Sequence, residues 1–194
     1  MTARNIPITT LYTYTCCRRL WRSKRQLFNT EVPGEAQAWL FDTGSLTARL
    51  IRHCQKKQRG NFHVRLLQQA IGLPALDERN ALQLGCRRRA IIREVKLYCG
   101  DTALVYARTV IPLSTVTGRQ RLYASLGNRP LGAMLFADSS MRRGQVMVSC
   151  LHPGSRLYER TGEKQNPVWG RRSIFHVGGK PLLVSEYFLP ALFA

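Results

Sequence analysis

Two ionisable residues each break an apolar row. If the run from Pro181 to Leu189 is a strand, side chains repeat on one face at every second residue, and Leu182, Val184, Glu186 and Phe188 share that face. The same alternation in the run from Arg88 to Cys99 sets Arg93 among Ile91, Val95 and Leu97, with Glu94 and Lys96 on the other side. A guanidinium in a dry setting grips a carboxylate with two parallel hydrogen bonds. A carboxyl group taken out of water favours its neutral form unless a cation is close, and a neutral carboxyl can hand a proton to a leaving group. Arg93 and Glu186 together therefore point to a polar pocket inside an otherwise dry core, able to hold an anion and move a proton. The competing reading is structural: the two charges neutralise each other as a buried pair, or one strand turns this face to water.

Other reactive residues form no pattern. The cysteines at 16, 17, 54, 86, 99 and 150 show no C-x-x-C spacing, and His53, His63, His152 and His176 are equally scattered. We read the cysteines as reduced thiols of a cytoplasmic protein and expect no metal site, because four ligands would have to be gathered from unrelated positions. The basic runs Arg87-Arg88-Arg89 and Arg142-Arg143 read as solvated faces or loop ends. Neither is interleaved with aromatic residues as a single-strand nucleic-acid platform would be.

The elements that must position Arg93 and Glu186 are legible. Ser45 caps a helix whose apolar residues Leu46, Leu50 and Cys54 recur at helical spacing before Lys56-Lys57 suit its C-terminal end. Strands are expected over Phe62 to Ile71, Arg88 to Cys99, Ala103 to Pro112, Gln145 to Leu151, Trp169 to Val177 and Pro181 to Leu189. Turns at Gly100-Asp101 and Gly178-Gly179-Lys180 make two hairpins, and a helix over Gln120 to Leu126 stops at Gly127-Asn128. Hairpin order with helices between gives an α+β domain on an antiparallel sheet.

Length and composition fit one such domain: 194 residues, 44% of them apolar, with no apolar run long enough for a membrane span. The charge is extreme, 30 Lys and Arg against 11 Asp and Glu for a net +19, and it selects an anionic partner without saying whether that is nucleic acid, a membrane surface or a small metabolite. Residues 1 to 36 form a basic arm with no acid before Glu31, expected to be poorly ordered and to lie outside the catalytic domain at 37 to 194.

Several stretches resemble a known family. Trp169-Gly170-Arg171-Arg172-Ser173, Gly179-Lys180-Pro181-Leu182-Leu183 and Glu186-Tyr187-Phe188-Leu189-Pro190 are similar to the C-terminal signature of bacterial chorismate lyases. Ile92-Arg93-Glu94-Val95, then Arg108 through Thr115, then Leu126 through Gly132 agree in order, so the resemblance covers about residues 39 to 190. It implies a single domain with a six-stranded antiparallel sheet flanked by helices, with no metal and no cofactor; a monomer is our expectation, which the sequence itself does not decide. It also implies conversion of chorismate into 4-hydroxybenzoate and pyruvate, the first committed step toward ubiquinone. By that resemblance Arg93 and Glu186 are the catalytic pair, Arg93 on the ring carboxylate and Glu186 at the far end of the ring, while Leu46 and Leu131 add contacts through backbone amides. Leu46 stands where the family has methionine, a change a backbone contact survives, and the segment His152 to Pro167 is longer than the family pattern. Two rivals remain. One is a non-catalytic domain of the same fold that binds an aromatic carboxylate, although only about 36 residues precede the match, too few for the DNA-binding domain such sensors carry. The other is a nucleic-acid binder, supported by charge alone.

Overall fold

The computed structural model describes residues 21–27 and 32–194. In chain order the strands are β1 (Arg22–Ser23), β2 (Phe62–Gly72), β3 (Ala90–Cys99), β4 (Thr102–Pro112), β5 (Arg142–Arg143), β6 (Met147–Leu151), β7 (Val168–Val177) and β8 (Lys180–Phe188). The helices are α1 (Gly34–Leu40), α2 (Leu46–Lys57), α3 (Leu76–Ala81), α4 (Leu131–Ala137) and α5 (Arg156–Thr161). One antiparallel sheet runs β1-β6-β7-β8-β4-β3-β2, with β5 paired to β7. The six long strands are those expected from the pattern, and the two additional ones have two residues each.

Local chemistry explains the best-defined elements. Ser45 accepts the Ala48 amide to start α2, whose buried stripe is Leu46, Thr47, Leu50 and Cys54, and Gln58 closes it in a left-handed conformation. The β7–β8 hairpin turns through Gly178 (φ +57°) and Gly179 (φ +75°), the pair of positive φ values that a two-residue type I′ turn demands.

Both sheet faces are covered. On one side, α1 and α2 bury Ala36, Trp39, Leu40, Leu46 and Leu50 against Val64, Val95, Leu97 and Phe188. On the other, α5 sets Leu157 and Tyr158 on Tyr106 and Tyr187. That back face also carries a buried ion cluster: Arg108 bonds Glu78 at 2.7 Å and Glu94 at 2.5 Å, and Arg160 reaches the second oxygen of Glu94. Glu94 thus anchors α5 to the sheet from the face opposite Arg93.

Three sequence expectations change. The helix expected over Gln120 to Leu126 is 3₁₀, Gly118–Ser125, and buries only Tyr123. The segment His152 to Pro167, for which the sequence set no conformation, holds a helix, α5. The domain begins before residue 37, since Ser23 pairs with Met147 and Val32 and Ala36 lie in the core, while residues 1–20 and 28–31 of the arm fall outside the described residues. Finally, Cys54 and Cys99 are not independent thiols: they are disulfide-bonded, with Cα atoms 5.5 Å apart, tying α2 to β3. Among the described residues no helix is long and apolar enough to cross a membrane.

Candidate active site

A cavity opens between the front of the sheet and the N-terminal ends of α2 and α4. Its floor is built from adjacent register rows. Val95, Ala107, Glu186 and Arg171 lie side by side across β3, β4, β8 and β7, and Arg93, Thr109, Val184 and Ser173 form the next row. Arg93 and Glu186 are therefore two strands and one row apart, roughly 10 Å across the sheet and 7 Å along it between Cα atoms. They face one cavity without pairing with each other, so the buried-pair reading fails for these two residues.

Arg93 is almost wholly buried, 2% exposed. Its Nη2 donates to the carbonyls of Gly127 (2.9 Å) and Arg129 (3.0 Å), but its Nε is buried with no hydrogen-bond partner among the described residues. Burial lowers the pKa of its guanidinium to about 10. Gly127 supplies its carbonyl from a left-handed turn (φ +54°) that ends the 3₁₀ helix. A buried donor left unbonded is costly, and an anion in the cavity would satisfy it.

Glu186 has a different partner. Arg171, 1% exposed and two strand residues before Ser173, donates from Nε to Glu186 Oε2 at 2.6 Å and from Nη1 to the carbonyls of Trp39 (2.8 Å) and Asp42 (2.5 Å). The proviso attached to a neutral carboxyl, that no cation lie close, is therefore not met. Glu186 is ion-paired through Oε2, and among the described residues its Oε1 has no hydrogen-bond partner. Sequence reasoning missed Arg171 as a partner, although alternation from Phe175 through Ser173 puts it on the cavity face.

Arg143 was also misjudged, because the Arg142-Arg143 run read as solvated surface. Only Arg142 is exposed; Arg143 lines the cavity from β5. Its Nε donates to Ser173 Oγ at 3.1 Å and its Nη1 to the Thr43 and Asp42 carbonyls at 3.1 and 3.4 Å.

Leu46 and Leu131 are the first residues of α2 and α4, and both line the cavity. First-turn amides have no acceptor within their own helix, so both positions can offer an N–H to a ligand. The helices meet at Gly132, where an added Cβ would lie 2.8 Å from Thr47 Oγ1, so that the Thr47 side chain or the helices would have to shift. Among the described residues no three His, Cys, Asp or Glu side chains are grouped as metal ligands.

Comparison with known proteins bears on this arrangement. The profile of a family described as "Chorismate lyase" matches residues 16–194. A relative from Methylococcus capsulatus named "Probable chorismate pyruvate-lyase" is 42% identical over 158 residues, covering 80% of this chain and 95% of its own. A second, from Alcanivorax borkumensis and named likewise, is 42% identical over 173 residues, 89% of this chain and 76% of its own. Among solved structures, the effector domain of PhnF from Mycobacterium smegmatis has a TM-score of 0.55 at 12% identity, covering 78% of this chain and 91% of that one, a likeness of fold alone.

Proposed function

The chain belongs to the chorismate lyase family, and from that premise we propose that this cavity is where cytoplasmic chorismate is split into 4-hydroxybenzoate and pyruvate, opening the route toward ubiquinone. The observation that carries the assignment of the site is the buried, unbonded Nε of Arg93. It leaves an unsatisfied donor next to a cavity at the spacing where a ring carboxylate would sit.

Chorismate carries a carboxylate on its ring and, at the opposite end, a hydroxyl beside an enolpyruvyl ether that bears a second carboxylate. In the lyase reaction the bond between ring carbon and ether oxygen breaks, the neighbouring hydroxyl-bearing carbon gives up its hydrogen as a proton, and the ring becomes aromatic. The departing enolpyruvate takes up a proton and becomes pyruvate. Aromatisation makes the elimination strongly downhill, so the protein must supply orientation and a path for one proton.

Arg93 fixes the ring carboxylate. Glu186, held by Arg171, takes up the hydroxyl at the far end and relays the proton from the ring carbon to the departing oxygen, returning to its starting state. A carboxylate that first accepts replaces the neutral acid expected from burial alone, and the balance of atoms is the same. The Leu131 amide lies close in sequence to the Arg129 carbonyl that Arg93 holds, and so serves the carboxylate end. The Leu46 amide follows the Asp42 carbonyl held by Arg171 and serves the other.

The test is to incubate the purified protein with chorismate and quantify both products. Equal amounts of 4-hydroxybenzoate and pyruvate are expected, with Arg93→Ala weakening substrate and product together. Tight binding of 4-hydroxybenzoate with no turnover of chorismate would make this a binding domain of the same fold instead.

A further inference from the structure

Among the described residues three guanidiniums, Arg93, Arg143 and Arg171, line the cavity against one carboxylate, Glu186. Arg171 is paired with Glu186. Among the described residues Arg93 and Arg143 have no ion-pair partner, and neutral oxygens hold both of them. The cavity thus carries two positive charges in excess, the complement of a ligand with two carboxylates, whereas 4-hydroxybenzoate has one.

The position of Arg143 says which carboxylate it meets. Arg143 and Arg171 both donate from Nη1 to the Asp42 carbonyl, so their guanidiniums lie together at the Glu186 end, opposite the loop that holds Arg93. Arg143 packs over the Phe175 ring at 5.3 Å, and its Nη2 makes no hydrogen bond among the described residues. Burial and then repulsion from Arg171 lower its pKa, with Glu186 and Asp42 offsetting part of this. Such a cation is relieved by an arriving anion.

We propose that Arg143 is the receptor for the second carboxylate of the substrate, the one on the enolpyruvyl group, so that the site distinguishes dianionic chorismate from its monoanionic aromatic product. The inference rests on the chorismate reading. With the ring carboxylate on Arg93 and the hydroxyl on Glu186, the ether on the adjacent carbon places its carboxylate at this end of the cavity. Once the ether bond breaks, enolpyruvate takes that contact away with it, and the aromatic product keeps Arg93, Glu186 and the Leu46 and Leu131 amides.

The experiment compares two non-reacting ligands on wild type, Arg143→Gln and Arg143→Lys by calorimetry: 4-hydroxybenzoate and 3-(carboxymethoxy)-4-hydroxybenzoate, a dianion with an ether-linked carboxylate. Chorismate KM is measured in parallel. Arg143→Gln should weaken the dianion and raise chorismate KM roughly 10- to 100-fold, the worth of a charge-assisted hydrogen bond, while 4-hydroxybenzoate affinity moves less than about 3-fold. Arg143→Lys should recover part of the loss. Equal weakening of both ligands would mean that Arg143 only props the Asp42–Thr43 loop and would overturn the proposal, as would an unchanged dianion affinity. Wild type that binds both ligands without turning over chorismate would sink the catalytic reading and leave the Arg143 comparison to stand or fall on the dianion. Wild type that binds neither would sink both.

Discussion

Replacing Glu186 with leucine should expose how much of this site is held by charge. Among the described residues the substitution leaves Arg171, 1% exposed, with the Trp39 and Asp42 carbonyls as its acceptors. Removing one partner of a buried pair costs about 3–5 kcal/mol, and the lower end applies because the Glu186 side chain retains 16% exposure. At a urea m-value of ~2 kcal/mol per molar, a loss of ~3 kcal/mol moves the unfolding midpoint down by roughly 1.5 M. The companion is the double variant Arg171→Met/Glu186→Leu, which removes both charges and keeps similar volume. It should regain part of the lost stability and stay below wild type, because an apolar pair replaces the ion pair at little cost while the buried Trp39 carbonyl loses its donor. Urea curves followed by tryptophan fluorescence and by circular dichroism would read both. A single variant as stable as wild type, or a double variant no better than the single, would show that Glu186 does not neutralise Arg171 in the folded protein.

Two further outcomes follow from packing and burial. Gly132→Ala should destabilise the protein by about 1–3 kcal/mol and weaken 4-hydroxybenzoate binding, since its Cβ would meet Thr47 Oγ1 at 2.8 Å, and adding Thr47→Ala should restore both; calorimetry and urea unfolding check this. Alkylation at pH 8 followed by peptide mass mapping should label exposed Cys86 but not Cys150, whose thiol burial pushes up to about 12, and should reach Cys54 and Cys99 in the unfolded chain only after reduction. Labelling of Cys150 in the native protein, or of Cys54 and Cys99 without reductant, would contradict the structure.

The sequence was most informative where a period could be counted. Six long strands and α2 follow from alternation and a capped apolar stripe, and Arg93 and Glu186 stand out because each interrupts such a row. Where no period exists, the reading failed. Helices α1, α3, α4 and α5 have six or seven residues, less than two turns, so no stripe recurs. Arg143 sits on a two-residue strand, too short to assign a face, and a dibasic run is ordinarily surface. Arg171 was visible on the correct face, but its partner across β7 and β8 depends on the register set by the Gly178-Gly179 turn. The Cys54–Cys99 contact joins a helix to a strand 45 residues away, a tertiary fact that spacing does not encode.

If Glu186 moves the proton while Arg93 anchors the ring, kcat of Glu186→Gln must show it. Glutamine keeps a neutral acceptor for Arg171 and the shape of the cavity but cannot relay a proton. The folded variant should still bind 4-hydroxybenzoate while its turnover of chorismate falls at least ~100-fold, the scale of a missing acid–base group. Wild-type kcat in Glu186→Gln, with product binding intact, would contradict that role of Glu186.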